Sequence, residues 1–578
     1  MYRLTLNQVL CLNIPVFGNF NRNFPSILKK CNGLTTNAVR FVVPESKQGN
    51  DRILPFFDVI NKRREQAKKS ILVQVQSVES FKELYAYCSI YGKINQTFHY
   101  TTNVDQLHFI IVEFFEESHV INVMKNCMHL CDEGFPVCSN FLWFKASNSK
   151  SRLKLKKCKL NKENGNKIPT SNEISELLQI QNNVSEQILA LHKITKLSEV
   201  ATRLRFLTTR QVELSVAGMF PETIAYPFGS SVNGFGKMGC DLDIVLKLHT
   251  NNVINENRLV FHCKTLNSYE RSVTQKHMEI MGDILKLFLP GCCQIRKILQ
   301  ARVPIIKYYQ QFTDVECDLS MSNMSGVCMS DLLYFYGMID SRVQPLVFVV
   351  RKWAQQVGVT STSPGRWISN FSLTLLVLAF LQKLGTSSPI LPSINTILKQ
   401  NGDSCKSVSE RQFEDSFLQN INIPNESQNT DNLETLLQNF FSFYSSFDFT
   451  TKAINLNEAI IMTKPEYSPL YIVNPLERGL NVSKNVSLEE LQKFKYELRN
   501  ASWLLESQDK NNSRWGILEL LQNHKKSVSS NYITISKQDR LMEVSKLFDE
   551  ENKPNVEEKF VKNNENHVKS FRYHKADR

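Results

Sequence analysis

The sequence predicts an α+β protein made of several folded parts. Three observations carry this expectation. Short strand-like and helical segments interleave between residues 71 and 146, a glycine-rich turn leads into an acid-bearing strand at 228–246, and helical periodicity dominates from about 330 to 383. At 578 residues the chain also exceeds the size at which a single hydrophobic core stops growing.

In the first part, "ILVQV" from Ile71 reads as a strand, "VESFKELYAYCSIYG" as a helix with a glycine stop, and "INQTFHYTT" and "HFIIVEFF" as two more strands. A second helix, "SHVINVMKNCMHL", and a strand, "SNFLWFKA", complete a βαββαβ order. That order predicts a ferredoxin-like domain over 46–145, the plan on which RNA-recognition modules are built. The third strand lacks the K/R-G-F opening that such modules use to stack bases, so protein contact or dimerisation is expected as much as RNA contact. Cys127, His129, Cys131 and Cys138 lack paired CxxC knuckles and read as packing residues, not a zinc site.

The first 44 residues hold no Asp or Glu while Arg3, Arg22, Lys29, Lys30 and Arg40 are spread among apolar and hydroxyl residues, the composition of a mitochondrial transit peptide over 1–45. Residues 146–168, with Glu163 as the only acid among many lysines, read as a basic solvated linker. Overall, 69 Lys and Arg against 56 Asp and Glu give a charge of +13, which favours a polyanionic partner. No run approaches the ~20 apolar residues of a membrane span, and "FSLTLLVLAFLQ" at 371–382 reads as a buried helix. Fourteen irregularly spaced cysteines in a long chain point to reduced thiols.

"TSNE" at 170–173 is a capping box that opens a helical region running to about Gly218, closed by Pro221 and Pro227. A helix is expected near 272–289, stopped by Pro290-Gly291, then strands in "VPIIKYY" and "DVECDLSM". Further helices are expected at 431–447 and 487–507, and a disordered charged tail over 524–578.

Chemistry concentrates in "FGSSVNGFGKMGCDLDIVL". Side chains alternate along a strand, so Asp241 and Asp243 share one face while Leu242 and Ile244 point to the core. Paired carboxylates offer the hard oxygen ligands that Mg²⁺ takes alongside substrate phosphates. Gly229, Ser230 and Ser231 can bring amide N–H groups and hydroxyls close to a triphosphate, since glycine admits an approach that a side chain would block.

G-S, ten intervening residues and D-h-D-h, with h apolar, together resemble the signature of the DNA-polymerase-β-like nucleotidyltransferases. The resemblance implies a third carboxylate on a neighbouring strand. In "DVECDLSM" its h-D-h-S context selects Asp318, with Glu316 on the same face as the alternative and Asp314 as edge charge. It also implies Mg²⁺ or Mn²⁺ held by Asp241, Asp243 and Asp318, the three catalytic residues, for transfer of a nucleotide to a 3′-hydroxyl.

Downstream, "DSRVQPLVFVVRKWAQQVGV", "WISNFSLTLLVLAFLQ" and "PLYIVNPLERGLNVSKNVS" are similar to the helical domain of noncanonical poly(A) polymerases and terminal uridylyltransferases. The likeness implies a palm over 169–335 and a helical poly(A)-polymerase-associated domain over 336–523. It also implies triphosphate or ribose contacts at Arg351, Gln355, Ser369 and Asn370, and a stacking aromatic at Phe417, whereas Trp353 and Trp367 are expected in the core. Leu480 stands where uridylyltransferases carry a uracil-selecting histidine, which favours ATP as substrate. The implied partners are RNA 3′ ends, a second copy of the chain through its N-terminal domain, and other mitochondrial RNA-processing proteins. The rival readings are a terminal uridylyltransferase and a catalytically silent RNA-binding scaffold.

Overall fold

The computed structural model describes residues 54–128, 139–146, 159–163, 165–218, 223–247, 270–321, 324–361, 363, 365–384, 388–400, 428–507 and 515–521. The transit-peptide and tail expectations, and Phe417, lie outside the described residues.

A helix not expected from sequence, α1 (Phe56–Lys68), leads into β1 (Ser70–Val75), α2 (Phe81–Tyr91), β2 (Ile94–Thr101), β3 (His108–Phe114), α3 (Glu117–Lys125) and β4 (Phe141–Trp143). The strands order as β4-β1-β3-β2, as in a ferredoxin-like sheet. One feature departs from that plan. A direct helical crossover from β3 would bring β4 in parallel to β3 and antiparallel to β1, but β4 pairs parallel to β1, Leu72 opposite Phe141. The helix α3 stops at Lys125, earlier than its sequence pattern suggested. Cys127 is exposed, not packed in the core, and its three partners in the discounted zinc set lie outside the described residues.

Alternation assigns the two faces of this sheet. Ile71, Val73, Val75, Ile110, Val112 and Phe114 pack on Phe81, Leu84, Val120 and Val123 of α2 and α3. Leu72, Phe98, Tyr100, Phe109, Ile111 and Phe141 form the opposite face, where RNA-recognition modules stack bases. Here that face is covered by α1 and by Val200, Leu204 and Leu207 of a later helix. The missing RNP signature therefore has a physical reason: these aromatics are core.

The basic linker is also partly structured. Asn161–Lys162 forms β5, an edge strand parallel to β2, and Asn166 is buried with its amide donating 2.6 Å to the Thr313 carbonyl. Lysines fringe the segment, but its polar atoms satisfy buried groups of the palm.

The capping box at Thr170 forms as the sequence predicts, starting α4 (Ser171–Gln179), followed by α5 (Val184–Thr195) and α6 (Glu199–Val216). The palm sheet comprises β6 (Ile224–Phe228), β7 (Leu242–Lys247), β8 (Cys292–Ile298), β9 (Ile305–Gln310) and β10 (Val315–Met321), in the order β6-β7-β10-β9-β8. Pro227 does not merely end a helix. It sits within β6, an edge strand, where a missing N–H is tolerated. Helix α7 (Glu270–Phe288) covers one face of the sheet through Met278, Met281 and Leu285, alongside Val212 and Val216 of α6. Thus α6 is shared, its first half lying on the N-terminal sheet and its second half on the palm.

Helices α8 (Ser325–Ile339), α9 (Val343–Gln356) and α10 (Asn370–Ala379) begin the helical half. Helix α10 is buried from Ser372 to Ala379, as its unbroken apolar run requires. Trp353 is 1% exposed and meets Phe441 edge-on at 4.7 Å, so it is core as expected, whereas Trp367 is only half-buried and donates to the Ser363 carbonyl. Helices Leu433–Ser446 and Leu488–Glu506 complete the core, with a hairpin, Lys452–Asn455 and Ile460–Thr463, not expected from sequence.

Candidate active site

Strands β7 and β10 run parallel with Asp243 directly opposite Asp318, and β6 runs antiparallel on the other side of β7 with Phe228 opposite Asp243. Extending the β7–β10 register by one step sets Glu316 beside Asp241. The sheet thus presents two rows of paired carboxylates, and the sequence alternatives Glu316 and Asp318 are both in place.

Close packing of like charges shows in their proton affinities. Burial, then Asp318 and Asp241, pushes the Asp243 carboxyl up to about 7, against the pull of Lys307. Asp241, though exposed, is also raised, first by partial loss of water and then by Glu316 and Asp318. The counter-charge comes from Lys307 on β9, whose Nζ donates to both oxygens of Asp318 at 2.8 and 2.6 Å. Among the described residues no three His, Cys, Asp or Glu side chains close on a common point as they stand. Asp318 is turned to this lysine.

The turn before β7 is fitted to the carboxylates. Gly229 has φ +71°, and a Cβ there would strike the Asp243 carboxylate, so only glycine serves. Its N–H donates 2.7 Å to Ser330 Oγ on α8, which in turn donates 2.7 Å to the Gly326 carbonyl. The Gly229 amide is therefore occupied, contrary to a role on phosphate. Ser231 is likewise structural: it is buried, accepts from Arg205 Nε at 3.0 Å and donates 2.8 Å to the Asp241 carbonyl. The half-buried Ser230 is the member of the turn whose hydroxyl has no partner among the described residues.

Behind the site lies Arg205, buried in α6, which donates to Asn166 Oδ1 and the Cys240 carbonyl at 2.6 Å each. It ties the former linker, the glycine turn and the strand leading to Asp241 into one scaffold. Asp314 is not free edge charge, because it accepts from the Asn103 N–H at 2.6 Å and from Tyr309 Oη at 2.8 Å.

Comparison with known proteins fits this geometry. Residues 184–338 match the family model "Poly(A) RNA polymerase, mitochondrial-like, central palm domain", and residues 55–128 match the "RL domain" model. The chain is 44% identical over 518 residues to the mitochondrial poly(A) RNA polymerase of Drosophila melanogaster, covering 85% of this chain and 84% of that one. It is 38% identical over 483 residues to the human protein of the same name, covering 81% of each. This chain belongs to the mitochondrial poly(A) RNA polymerase family. Among solved structures, mtPAP in complex with CTP aligns at a TM-score of 0.74 and 35% identity, and mtPAP with UTP at 0.73 and 34%, each over 81% of this chain and 99% of that one.

Within this family fold, the nucleotide contacts expected from resemblance divide. Arg351 donates to the carbonyls of Asn370 at 3.2 Å and Phe235 at 2.8 Å and to Thr374 Oγ1, so it clasps the palm turn to α9 and α10 and does not stand open to phosphate. Ser369 is the N-cap of α10, accepting from the Ser372 N–H at 3.0 Å. Asn370 follows it, exposed, with its side-chain amide unpartnered among the described residues. Gln355 is exposed and accepts from Lys237 Nζ at 3.2 Å.

Leu480 closes a small loop, its N–H donating to the Glu477 carbonyl and its carbonyl accepting from the Asn474 N–H, both at 2.9 Å. Its half-buried side chain offers no polar atom to a base. The loop reaches the palm through Arg302 and Glu477, 3.2 Å apart. Sequence reasoning missed Lys307, Ser330, Arg205 and Lys237, whose roles follow from strand register and tertiary contact, not from motif spacing.

Proposed function

We propose that the chain is a template-independent polynucleotide adenylyltransferase that adds AMP from ATP to the 3′ ends of mitochondrial RNA. The observation that carries this reading is the in-register pairing of Asp243 with Asp318, flanked by Asp241 and by a glycine turn that only glycine can complete. Asp241, Asp243 and Asp318 would hold Mg²⁺ or Mn²⁺. The fit rests on hard-oxygen donors, on carboxylates that outnumber the lysine facing them, and on an Asp243 carboxyl that burial, then Asp318 and Asp241, pushes up to about 7. When bound, such ions lower the pKa of the attacking hydroxyl and stabilise the leaving pyrophosphate.

The chain's own groups do the positioning. Asp318 serves the side of the RNA 3′-hydroxyl, Asp241 and Asp243 the triphosphate side, and Ser230 offers its hydroxyl to phosphate. The bond from O3′ to the α-phosphorus forms as that phosphorus loses pyrophosphate, with no covalent protein intermediate. Asn370 offers its exposed side-chain amide to ribose or phosphate, and Leu480, without a side-chain donor or acceptor, gives uracil no hydrogen bond.

The family relationship supports a mitochondrial location, and a homodimer through the N-terminal sheet belongs to the same reading. β4 is an edge strand of that sheet, with Trp143 43% exposed. A monomer in sedimentation at micromolar concentration would remove the dimer. No helix among the described residues is long and apolar enough to cross a membrane.

The test incubates a labelled oligoribonucleotide with each nucleoside triphosphate separately. Extension with ATP, abolished in Asp318→Ala, is expected. Extension with UTP alone would overturn the choice of base, and tight RNA binding with no incorporation under Mg²⁺ or Mn²⁺ would establish the silent scaffold instead.

A further inference from the structure

The turn that joins β9 to β10 is held from outside the palm sheet. Beyond it the two strands pair Val315 with Gln310, Glu316 with Tyr309, Cys317 with Tyr308 and then Asp318 with Lys307. In a hairpin the turn sets the register, and a slip of one residue would carry Lys307 to the face opposite Asp318. The connection, residues 311–314, has no glycine and ends on Asp314 at φ +51°, a left-handed backbone that aspartate adopts at a cost. Such a turn persists only where its surroundings fix it.

Those surroundings come largely from the N-terminal sheet, whose β2–β3 turn, residues 102–107, meets the β9–β10 turn. Gln311 Nε2 donates 2.6 Å to Asp105 Oδ2, the buried Tyr100 donates from Oη 2.6 Å to the Phe312 carbonyl, and the Asn103 N–H donates 2.6 Å to Asp314 Oδ2. The Phe312 ring lies 5.5 Å from that of Phe109 and 6.4 Å from that of Phe141. Thr313, fully buried, is held by Asn166 at 2.6 Å and by Thr208 of α6 at 3.0 Å. The other oxygen of Asp314 accepts from Tyr309 Oη at 2.8 Å, and Tyr309 lies on the same face of β9 as Lys307. A line of hydrogen bonds thus runs from the Asn103 backbone through Asp314 to the strand that carries Lys307. The β2–β3 turn is itself braced, because Gln106, at φ +50°, donates from Nε2 3.0 Å to the Asn103 carbonyl, and the Thr102 N–H donates 3.0 Å to the Leu107 carbonyl.

We propose that the β2–β3 turn is a positioning element of the transfer reaction: through Tyr100, Asn103 and Asp105 it holds the β9–β10 register in which Lys307 faces Asp318, and Asp314 is the positioning residue at the junction. The inference rests on the nucleotide-transfer reading above, in which Asp318 serves the RNA 3′-hydroxyl. None of the clasping residues is among the groups assigned to ATP or RNA, so loosening them slows the chemical step and leaves the apparent affinities for both substrates. The N-terminal domain acts on catalysis in this way without touching either one.

The test measures kcat and the KM values for ATP and for a labelled oligoribonucleotide in variants of the full chain. Asp314→Gly removes both side-chain bonds while glycine accepts φ +51° without strain, so kcat should fall about tenfold with both KM values within about twofold of wild type. Asp314→Asn keeps an acceptor for the Asn103 N–H and a donor for the Tyr309 oxygen, so its kcat should stay within about twofold of wild type. Tyr100→Phe removes one hydroxyl on the N-terminal side of the junction and should lower kcat about threefold. Hydrogen exchange read by mass spectrometry, without nucleotide or RNA, should show β9 and β10 exchanging about tenfold faster in Asp314→Gly and unchanged in Asp314→Asn. Wild-type kcat in Asp314→Gly, whatever its melting temperature, or an equal loss in Asp314→Asn would overturn the inference alone. A wild type that extends no RNA with any nucleoside triphosphate would overturn the polymerase reading, and this inference with it.

Discussion

Lys307 Nζ stands 2.8 and 2.6 Å from the two oxygens of Asp318, directly across the β9–β10 register. This lysine occupies the side of Asp318 that a cation would draw upon, and it competes with one. Replacing it by methionine removes a repulsive charge, so the Mg²⁺ concentration that gives half of the maximal thermal stabilisation should fall about fivefold, equivalent to ~1 kcal/mol for a partly exposed pair. The metal-free variant should melt below wild type, because its carboxylates lose their counter-charge. A thermal-shift titration decides it, and a higher Mg²⁺ requirement would show that Lys307 helps to build the metal site.

Arg351 holds the palm turn to the helical half through its planar fork, not through charge alone. Lysine at this position keeps the charge but cannot reach three separate acceptors. Arg351→Lys should therefore destabilise the protein almost as much as Arg351→Ala, by roughly 2 kcal/mol in urea denaturation. Full stability in Arg351→Lys combined with a raised KM for ATP in Arg351→Ala would return this side chain to the phosphate.

What could be read from sequence follows a physical division. The Gly229 turn, Asp241 and Asp243 are local, since glycine conformation and strand alternation fix them within twenty residues. Asp318 needed only the alternation of a second strand and a family context. Lys307 and the pairing of Glu316 with Asp241 depend on which strands are neighbours, and register is set by tertiary packing that a pattern does not encode. Edge strand β8 escaped notice because Gln294, Arg296 and Lys297 are all exposed, leaving little apolar alternation. The parallel setting of β4 and the burial of the stacking face under α6 are likewise properties of the whole assembly. Arg351 and Ser231 carry residue types suited to phosphate, but their hydrogen bonds are taken by the scaffold.

The Glu113–Arg203 pair, 2.5 Å apart with both side chains under 10% exposed, fastens the N-terminal sheet to α6. Arg203 also lies 4.7 Å from the centre of the Phe98 ring. Removing Glu113 takes the buried partner from Arg203, which Glu199 still holds at 2.9 Å, so Glu113→Ala should cost about 2–3 kcal/mol, whereas Glu113→Leu with Arg203→Met should recover much of that loss. Urea denaturation of the single and double variants measures the coupling. Additive losses would mean that the two charges act independently.

Asp331 on α8 is 2% exposed, and its Oδ1 has no hydrogen-bond partner among the described residues. Burial alone pushes its carboxyl up to about 7. An aspartate in the unfolded chain titrates near ~3.9. Below that pH the group is protonated in both states and favours neither. As pH rises from there toward 7, the unfolded chain releases the proton while the native chain retains it, so native stability falls, and above 7 the loss levels off. The full effect is on the order of 4 kcal/mol at 1.36 kcal/mol per pKa unit. Asp331→Asn cannot ionise, so its melting temperature should gain on wild type between pH 5 and pH 7, and the gap should level off by pH 8. Scanning calorimetry of both proteins across that range tests the sign, and a gap independent of pH would mean that the carboxyl is already ionised in the native state at pH 5.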